Sequence, residues 1–429
     1  MRNHPSEVAF QPSKLTRPRS ITATATRRAI DGVAGASRIG THRPWPPLMR
    51  VAIELGAALL VIGAASWPLV FANATFNNDW LNHLWYMWHQ SLAIRERGTP
   101  SLYLNYSGGI FYPQYAFYAG TLYALVGTLS LILGDAPLAT YVLSYLLGFC
   151  AAYGGWYWIA RSFGVRGWLA HMPGLVFITS ASYLTTIYAL GDWPEFLAIS
   201  VMPLMIASGL SVLRDSRFRF GPAIALSASS VVFIGSHLLT LIWGATILGI
   251  VAVALLACVP SIRHNVTRAG VLRVVALVTP AAMLSAWFLV PTIAYESHAL
   301  IAHTYPHFRM LLRQTLPIVA ARNLFSLSRA PSPDSIVSVS LPVLAVVWVL
   351  VGIAMLARAG RRDTWMRVLL VVGATTVVLT VIMAHAGLIL ALPRMYAMLQ
   401  FSFRLDNFVL LGISGALVAV LVMAQTGRA

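Results

Sequence analysis

The chain has 429 residues, of which 58% are hydrophobic and only 10% are charged, and its mean hydropathy is +0.73. This composition excludes a water-soluble domain, because apolar runs of about 20 residues, the length that spans a bilayer, recur along the sequence. The runs are continuous rather than alternating, which favours helices over a closed barrel. The formal net charge of +17 comes almost entirely from arginine. Because the arginines cluster between apolar runs, they indicate membrane orientation and not nucleic-acid binding.

Residues 1–50 are polar and basic and predict a disordered cytoplasmic arm that touches anionic lipid. The remaining residues, 51–429, predict one all-α polytopic membrane domain with both ends of the chain inside. Its ten predicted transmembrane helices fall at 51–71, 137–160, 168–188, 195–213, 221–236, 238–259, 271–291, 335–357, 365–385 and 404–424.

Residues 110–133 are also apolar enough to cross the membrane. If they crossed, the later arginine clusters would be divided between the two faces; if they dip into the outer leaflet, all of these clusters fall inside. We therefore predict a re-entrant or juxtamembrane helix here. The first outer loop is then about 72–136, and further outer loops fall at 191–195, 292–334 and 386–403.

Asp79 is the leading candidate for chemistry. An acid at the outer mouth of the spans is unfavourable there unless it has a function. His83 follows one helical turn later on the same face, and a carboxylate held by an imidazole can act as a general base. The alternative is that Asp79, Asn77 or Asn78 only caps the helix that begins at Trp80.

Three further residues are candidates for substrate binding together with His83. Glu195 begins a span, where proline followed by glutamate is also ordinary helix N-terminal chemistry. His237 lies between two apolar runs, and the alternative there is a satisfied helix-end group. Arg404 begins the last span on the outer side, where arginine is disfavoured. A phosphate contact explains it, and interfacial snorkelling is the alternative.

We predict no metal ligands and no cofactor; a divalent metal ion is not supported. The histidines lack zinc spacing, since no glutamate follows His303 in the pattern that ends at His307. Cys150 and Cys258 lie within apolar runs, which argues against a disulfide framework or a thiolate site. No glycine-rich phosphate loop is present.

Several short motifs occur in a characteristic order. They read Gly-Ile-Phe-Tyr-Pro-Gln-Tyr at 109–115, Ala-Arg-Ser-Phe-Gly at 160–164, Gly-Asp-Trp-Pro-Glu-Phe-Leu-Ala at 191–198, Ser-His-Leu-Leu-Thr at 236–240, Ser-Ala-Trp-Phe-Leu-Val-Pro at 285–291 and Leu-Gln-Phe-Ser-Phe-Arg at 399–404. With this order, residues 51–424 resemble the bacterial integral membrane family labelled 6-pyruvoyl-tetrahydropterin synthase-related. That family is itself similar to YfhO-like proteins and GT-C glycosyltransferases. Nothing in the chain resembles a soluble pterin enzyme.

The GT-C resemblance implies an enzyme that takes a sugar from a polyprenyl-phosphate carrier in the outer leaflet. Asp79 would deprotonate the acceptor hydroxyl, and the sugar would transfer with inversion. Glu195 would be a second acid, while His237 and Arg404 would line the cavity and meet the donor phosphate. The acceptor would be a cell-envelope glycan or glycolipid.

The chain departs from the GT-C pattern in two ways. The first outer loop has no Asp-x-Asp or Asp-Glu pair, which puts metal dependence in doubt. A large soluble domain does not follow the last span, so either acceptor recognition is expected to lie in a partner protein or the chain is shortened. The expected location is a bacterial inner membrane, with the N-terminus cytoplasmic. The rival hypothesis is a non-catalytic lipid-linked-sugar transporter or envelope assembly factor.

Overall fold

The structure is a computed structural model that describes residues 47–71, 79–105, 111–215, 217–295, 341–358, 364–399 and 401–426. The chain divides into two units, Met1–Ile53 and Glu54–Ala429, and all contacts given below lie within the second. Most of the predicted cytoplasmic arm, 1–46, lies outside the described residues. So does nearly all of the predicted outer loop 292–334, from residue 296 onward.

The described part of the chain is almost entirely helical, as predicted. In chain order its elements are α1 Pro47–Phe71, α2 Trp80–Arg97, β1 Leu104–Asn105, β2 Phe111–Tyr112, α3 Gln114–Phe117, α4 Gly120–Ile132, α5 Pro137–Ser162, a 3-10 turn Gly167–His171, α6 Met172–Ile178, α7 Ala181–Tyr188, α8 Trp193–Arg214, α9 Phe220–Gly235, α10 Leu238–Cys258, α11 Pro260–Asn265, α12 Arg268–Tyr295, α13 Val343–Arg358, α14 Thr364–Ala384, α15 Ala386–Ala391, α16 Arg394–Ala397, a 3-10 turn Ser402–Leu405 and α17 Asp406–Thr426. The two strands form one antiparallel pair, with Leu104 opposite Tyr112 and Asn105 opposite Phe111.

Among the described residues, seven helices are long and apolar enough to cross a membrane. They correspond to seven of the ten predicted spans, and three predictions differ. The segment 168–188 is broken into the 3-10 turn, α6 and α7, because Pro173 and Gly174 disfavour a continuous helix and Ser180 caps a new one. Helices α9 and α13, at 16 residues each, are shorter than expected.

Within the described residues 111–133 there is no helix of spanning length. The longest helix there, α4, has 13 residues, which corresponds to about 20 Å, whereas the hydrocarbon core of a bilayer is about 30 Å thick. It packs against α2 and also touches α5. This length agrees with the prediction that the segment does not cross, while its re-entrant position stays a prediction.

The core lies where α2, α4, α5 and α8 meet. It is filled by fully buried aromatic side chains, among them Tyr123, Tyr141, Tyr145, Trp193 and Phe196. The Trp193 indole N–H donates to Ser144 Oγ at 2.8 Å, which fixes the first turn of α8 against α5. This core therefore determines where α8 begins.

Helices α5 and α8 approach closely along two glycines of α5. A Cβ atom on Gly148 would lie 2.7 Å from the ring of Phe196, and one on Gly155 would meet the backbone at Leu204. Small residues let helix backbones come together in membrane proteins. The close approach fixes the position of α8 against α5.

Candidate functional site

The site is built where α8 and α17, the two most buried of the seven candidate spans, begin. The chain turns into α8 through Gly191, which has φ of 65°, and Asp192 caps the helix. Its Oδ1 accepts a hydrogen bond from the backbone N–H of Glu195 at 3.2 Å. Both carboxylates are buried, with 3% and 2% of their residues' surface exposed.

Arg404 connects the parts of the site. It lies on the 3-10 turn that leads into α17, and only 13% of its side chain is exposed. Its Nη2 lies 3.0 Å from Asp192 Oδ2, and its Nε lies 3.4 Å from Glu195 Oε2. Its Nη1 lies 3.3 Å from His237 Nε2. The guanidinium thus faces two carboxylates and an imidazole at the same time.

His237 occupies the turn between α9 and α10 and is 3% exposed. Its Nδ1 lies 2.7 Å from Thr240 Oγ1 and accepts a hydrogen bond from the Thr240 backbone N–H at 3.3 Å, so the imidazole caps α10. Its Nε2 faces the guanidinium of Arg404 on the other side of the ring.

The electrostatics of the site keep His237 neutral and Asp192 ionised. Burial lowers the pKa of His237 to about 4, although Asp192 acts in the opposite direction. Burial alone would raise the pKa of Asp192. The positive charge of Arg404, and that of His237 once it is protonated at low pH, outweigh burial and lower the pKa of Asp192 to about 2. At neutral pH, therefore, the cation beside Asp192 is Arg404.

Asn407 holds the far side of Glu195. Its Nδ2 lies 3.4 Å from Glu195 Oε1 and donates to Thr186 Oγ1 at 3.1 Å. Thr186 belongs to α7, so this contact joins α7, α8 and α17. The two oxygens of Glu195 thus face Asn407 and Arg404, both from the segment at the start of α17, and Thr186 fixes Asn407 from α7.

An aromatic group separates this cluster from His83. Tyr118 Oη donates to Asp192 Oδ1 at 3.3 Å, and its ring stacks on His83 with centroids 5.8 Å apart. His83 Nδ1 bonds to Tyr123 Oη at 2.6 Å. Burial lowers the pKa of His83, against the opposing charges of Asp192 and Asp79, and raises the pKa of Tyr118. Both groups are therefore neutral near pH 7.

Asp79 lies at the exposed edge of the site. Its backbone N–H donates to the carbonyl of Leu190 at 3.3 Å, and its Oδ1 accepts a hydrogen bond from Asn82 at 3.3 Å. Asp79 occupies the N-cap position of α2, but its side chain makes no capping bond. Within the described residues no hydrogen bond joins the side chains of Asp79 and His83, so the expected carboxylate–imidazole pair is not formed here.

The structure thus brings Glu195, His237 and Arg404 into mutual contact through the guanidinium, and places His83 one aromatic layer away. Sequence reasoning did not single out Asp192, Tyr118, Thr186 or Asn407 as site residues. Asp192 had a local signal, because an N-cap acid three residues before a glutamate is the pattern of a capping box. The other three have no such signal, since only tertiary packing brings them to the site.

The ligating atoms of Asp192, Glu195 and His237 all lie within 4.8 Å of one another, the spacing of a group that could hold a metal ion. These are the oxygen and nitrogen donors that divalent ions use. The guanidinium of Arg404 contacts each of the three residues, however. A metal ion and Arg404 therefore do not fit this cluster together.

No protein-family model and no curated protein matches the chain. Among solved structures it is similar to ArnT from Cupriavidus metallidurans bound to undecaprenyl phosphate, with 17% identity over 89% of this chain and 79% of that chain and a TM-score of 0.40. The apo state of ArnT gives 16% identity, 88% and 77% coverage and a TM-score of 0.40. The archaeal oligosaccharyltransferase AglB from Archaeoglobus fulgidus, in complex with an inhibitory peptide and a dolichol-phosphate, gives 13% identity and a TM-score of 0.45 over 87% of this chain and 50% of that chain. The labels 6-pyruvoyl-tetrahydropterin synthase-related and YfhO-like gain no support from these comparisons.

Proposed function

We propose that this polytopic membrane protein is a GT-C-like glycosyltransferase. It moves a sugar from a polyprenyl-phosphate donor to a cell-envelope glycan or glycolipid at the outer face of the membrane. The observation that carries the proposal is the convergence of Asp192, Glu195, His237 and Arg404 at the starts of two central apolar helices, with the exposed carboxylate of Asp79 at their edge. Buried ionisable groups at the ends of membrane helices are expensive and typically functional.

Asp79 is the base in this mechanism. The acceptor hydroxyl oxygen attacks the anomeric carbon, its proton passes to the Asp79 carboxylate, and the bond from that carbon to the phosphate oxygen breaks with its electrons on the phosphate. Asp192 and Glu195 are poorer candidates, since both are buried against Arg404. Asp79 is exposed, and its Oδ1 accepts a hydrogen bond from Asn82.

Arg404 is the donor-phosphate contact in this mechanism. Three of the five N–H groups of a guanidinium face Asp192, Glu195 and His237, so the other two remain for a phosphate oxygen. A fixed cation beside the leaving phosphate offsets the charge that develops there. His83 and Tyr118, both neutral, stack on each other beside Asp192. Recognition of the acceptor by a partner protein remains a prediction.

The test is complementation of a deletion strain with Asp79→Asn, scored by the profile of envelope glycans and lipid-linked sugars. We expect one glycan product to disappear and its lipid-linked precursor to accumulate, with normal membrane insertion of the variant. The matched control is Asp135→Asn, which removes an exposed acid paired with Arg95 at 2.7 Å and is expected to leave the profile unchanged. An unchanged profile with Asp79→Asn would reject the base and favour lipid-linked-sugar transport or an assembly role.

A further inference from the structure

The cluster of Asp192, Glu195 and His237 has the donor set of a divalent cation site. Two carboxylates and one imidazole nitrogen converge, and all three residues are buried. His237 caps α10 through Nδ1, which accepts from the Thr240 backbone N–H, and presents Nε2 to the cluster.

The position that such an ion would take is filled by the side chain of Arg404. The guanidinium contacts the same three residues at 3.0, 3.4 and 3.3 Å. It comes from a distant part of the chain and is itself largely buried, and the 3-10 turn Ser402–Leu405 before α17 carries it. A divalent ion bound beside it would be strongly repelled, because like charges a few ångströms apart interact strongly in a buried site.

The charge balance explains why the cluster needs a cation. Asp192 is a buried ionised carboxylate with the carboxyl group of Glu195 beside it, and Arg404 is the cation that contacts both among the described residues. Removing one partner of a buried ion pair leaves an uncompensated charge, which is strongly unfavourable. With the guanidinium gone, two buried carboxyl groups and an imidazole would be left around a position that a dication can fill.

We propose that Arg404 is a built-in cation that takes the place of a divalent metal ion. The cluster then binds no divalent ion while the guanidinium is present, and removing the guanidinium converts it into a divalent cation site. This inference rests on the cluster geometry and does not depend on the proposed sugar transfer.

The test uses the purified full-length chain in detergent and Co²⁺ as the probe, since Co²⁺ in a nitrogen and oxygen site has visible absorption bands. Wild type, Arg404→Ala and the double variant Arg404→Ala/Asp192→Asn are compared by the Co²⁺ retained after desalting and by the thermal midpoint with and without Co²⁺. We expect the Arg404→Ala protein to retain one equivalent of Co²⁺ and to bind the ion at least about a hundredfold more tightly than wild type. Its thermal midpoint is expected to rise by several degrees when Co²⁺ is added. The double variant is expected to lose both effects.

Two results would overturn the inference. One is a wild-type protein that retains one equivalent of Co²⁺ which Asp192→Asn removes, because the guanidinium would then not exclude the ion. The other is a monodisperse Arg404→Ala protein that retains no Co²⁺. If Arg404→Ala does not accumulate in the membrane, Arg404→Gln replaces it, because the amide still donates to a carboxylate while the charge is removed.

Discussion

Arg404 is the residue on which the site most depends, because its guanidinium contacts side chains from two other regions of the chain. Asp192 and Glu195 lie at the start of α8, and His237 lies before α10. Each of these polar side chains is buried, so its orientation is set by one or two specific partners rather than by water. The site is therefore sensitive to changes of a single proton or a single charge.

The protonation of His237 should make the stability of the protein depend on pH. Burial lowers the pKa of folded His237 to about 4, whereas an unfolded histidine titrates near 6.5. Between these values the unfolded chain binds more protons, so the free energy of unfolding falls as the pH falls, by on the order of 3 kcal/mol across the window. The measurement is the thermal midpoint from pH 8 to pH 4.5 for wild type and His237→Asn.

The comparison isolates one group, because the charged and titratable neighbours Asp192, Arg404 and His83 are present in both proteins. The wild-type midpoint is expected to fall more steeply below about pH 6.5, the ordinary pKa of histidine. Parallel curves for the two proteins would show that the pKa of His237 is the same in the folded and unfolded states, so that burial does not lower it.

At the scale of helices, the pair α5 and α8 sets the position of the site. Gly148 and Gly155 lie two helical turns apart on α5 and allow α8 to approach. The placement of α8 also fixes the positions of Asp192 and Glu195, because these residues lie at the start of that helix. The position of the two carboxyl groups therefore depends on the contact between α5 and α8, which extends along both helices beyond the first turn of α8.

Gly155→Ala should destabilise the protein by about 1–3 kcal/mol, because overpacking at a tight contact forces the backbone to shift. A Cβ atom there would meet the backbone of Leu204. The neighbouring Gly154 is the matched control, since a Cβ atom on it meets nothing within 4 Å. Gly154→Ala is expected to leave the thermal midpoint in detergent unchanged or higher. Equal losses from both substitutions would contradict a specific α5–α8 contact.

At the scale of helices, the sequence predicts where a helix starts better than where it is interrupted. The start of α2 at Trp80 and the first turn of α8 follow from local signals, an acid or amide before the helix and proline at its beginning. The break within 168–188 was missed, because hydropathy reports burial in lipid and does not report where a helix is interrupted. Tyr118 and Asn407 could not be predicted, since no pattern in one sequence brings residues so far apart into contact.

For the molecule as a whole, the distribution of arginine predicts which side of the membrane each loop faces. If 110–133 does not cross, Asp135 lies outside together with the start of α8, and Arg263 lies inside. If it does cross, the two residues exchange sides. The short α4 favours the first arrangement.

Cysteine labelling distinguishes these topologies. Cys150 and Cys258 are first replaced by serine, and Asp135→Cys and Arg263→Cys are introduced separately at exposed positions. We expect a membrane-impermeant maleimide to label the Asp135→Cys protein in intact spheroplasts and the Arg263→Cys protein only after permeabilisation. The reverse pattern would mean that 110–133 spans the membrane and that the carboxylate cluster faces the cytoplasm.

The contact of Arg404 with Asp192 and Glu195 also has a consequence for biosynthesis. The two acids leave the ribosome long before the arginine that neutralises them, since about 209 residues separate Glu195 from Arg404. At ordinary elongation rates that interval lasts roughly 10 to 40 s. During that time α8 has already been made, but the acids at its first turn have no cation. The end of α8 that carries them must remain in contact with water, or with the insertion machinery, until the last helix arrives.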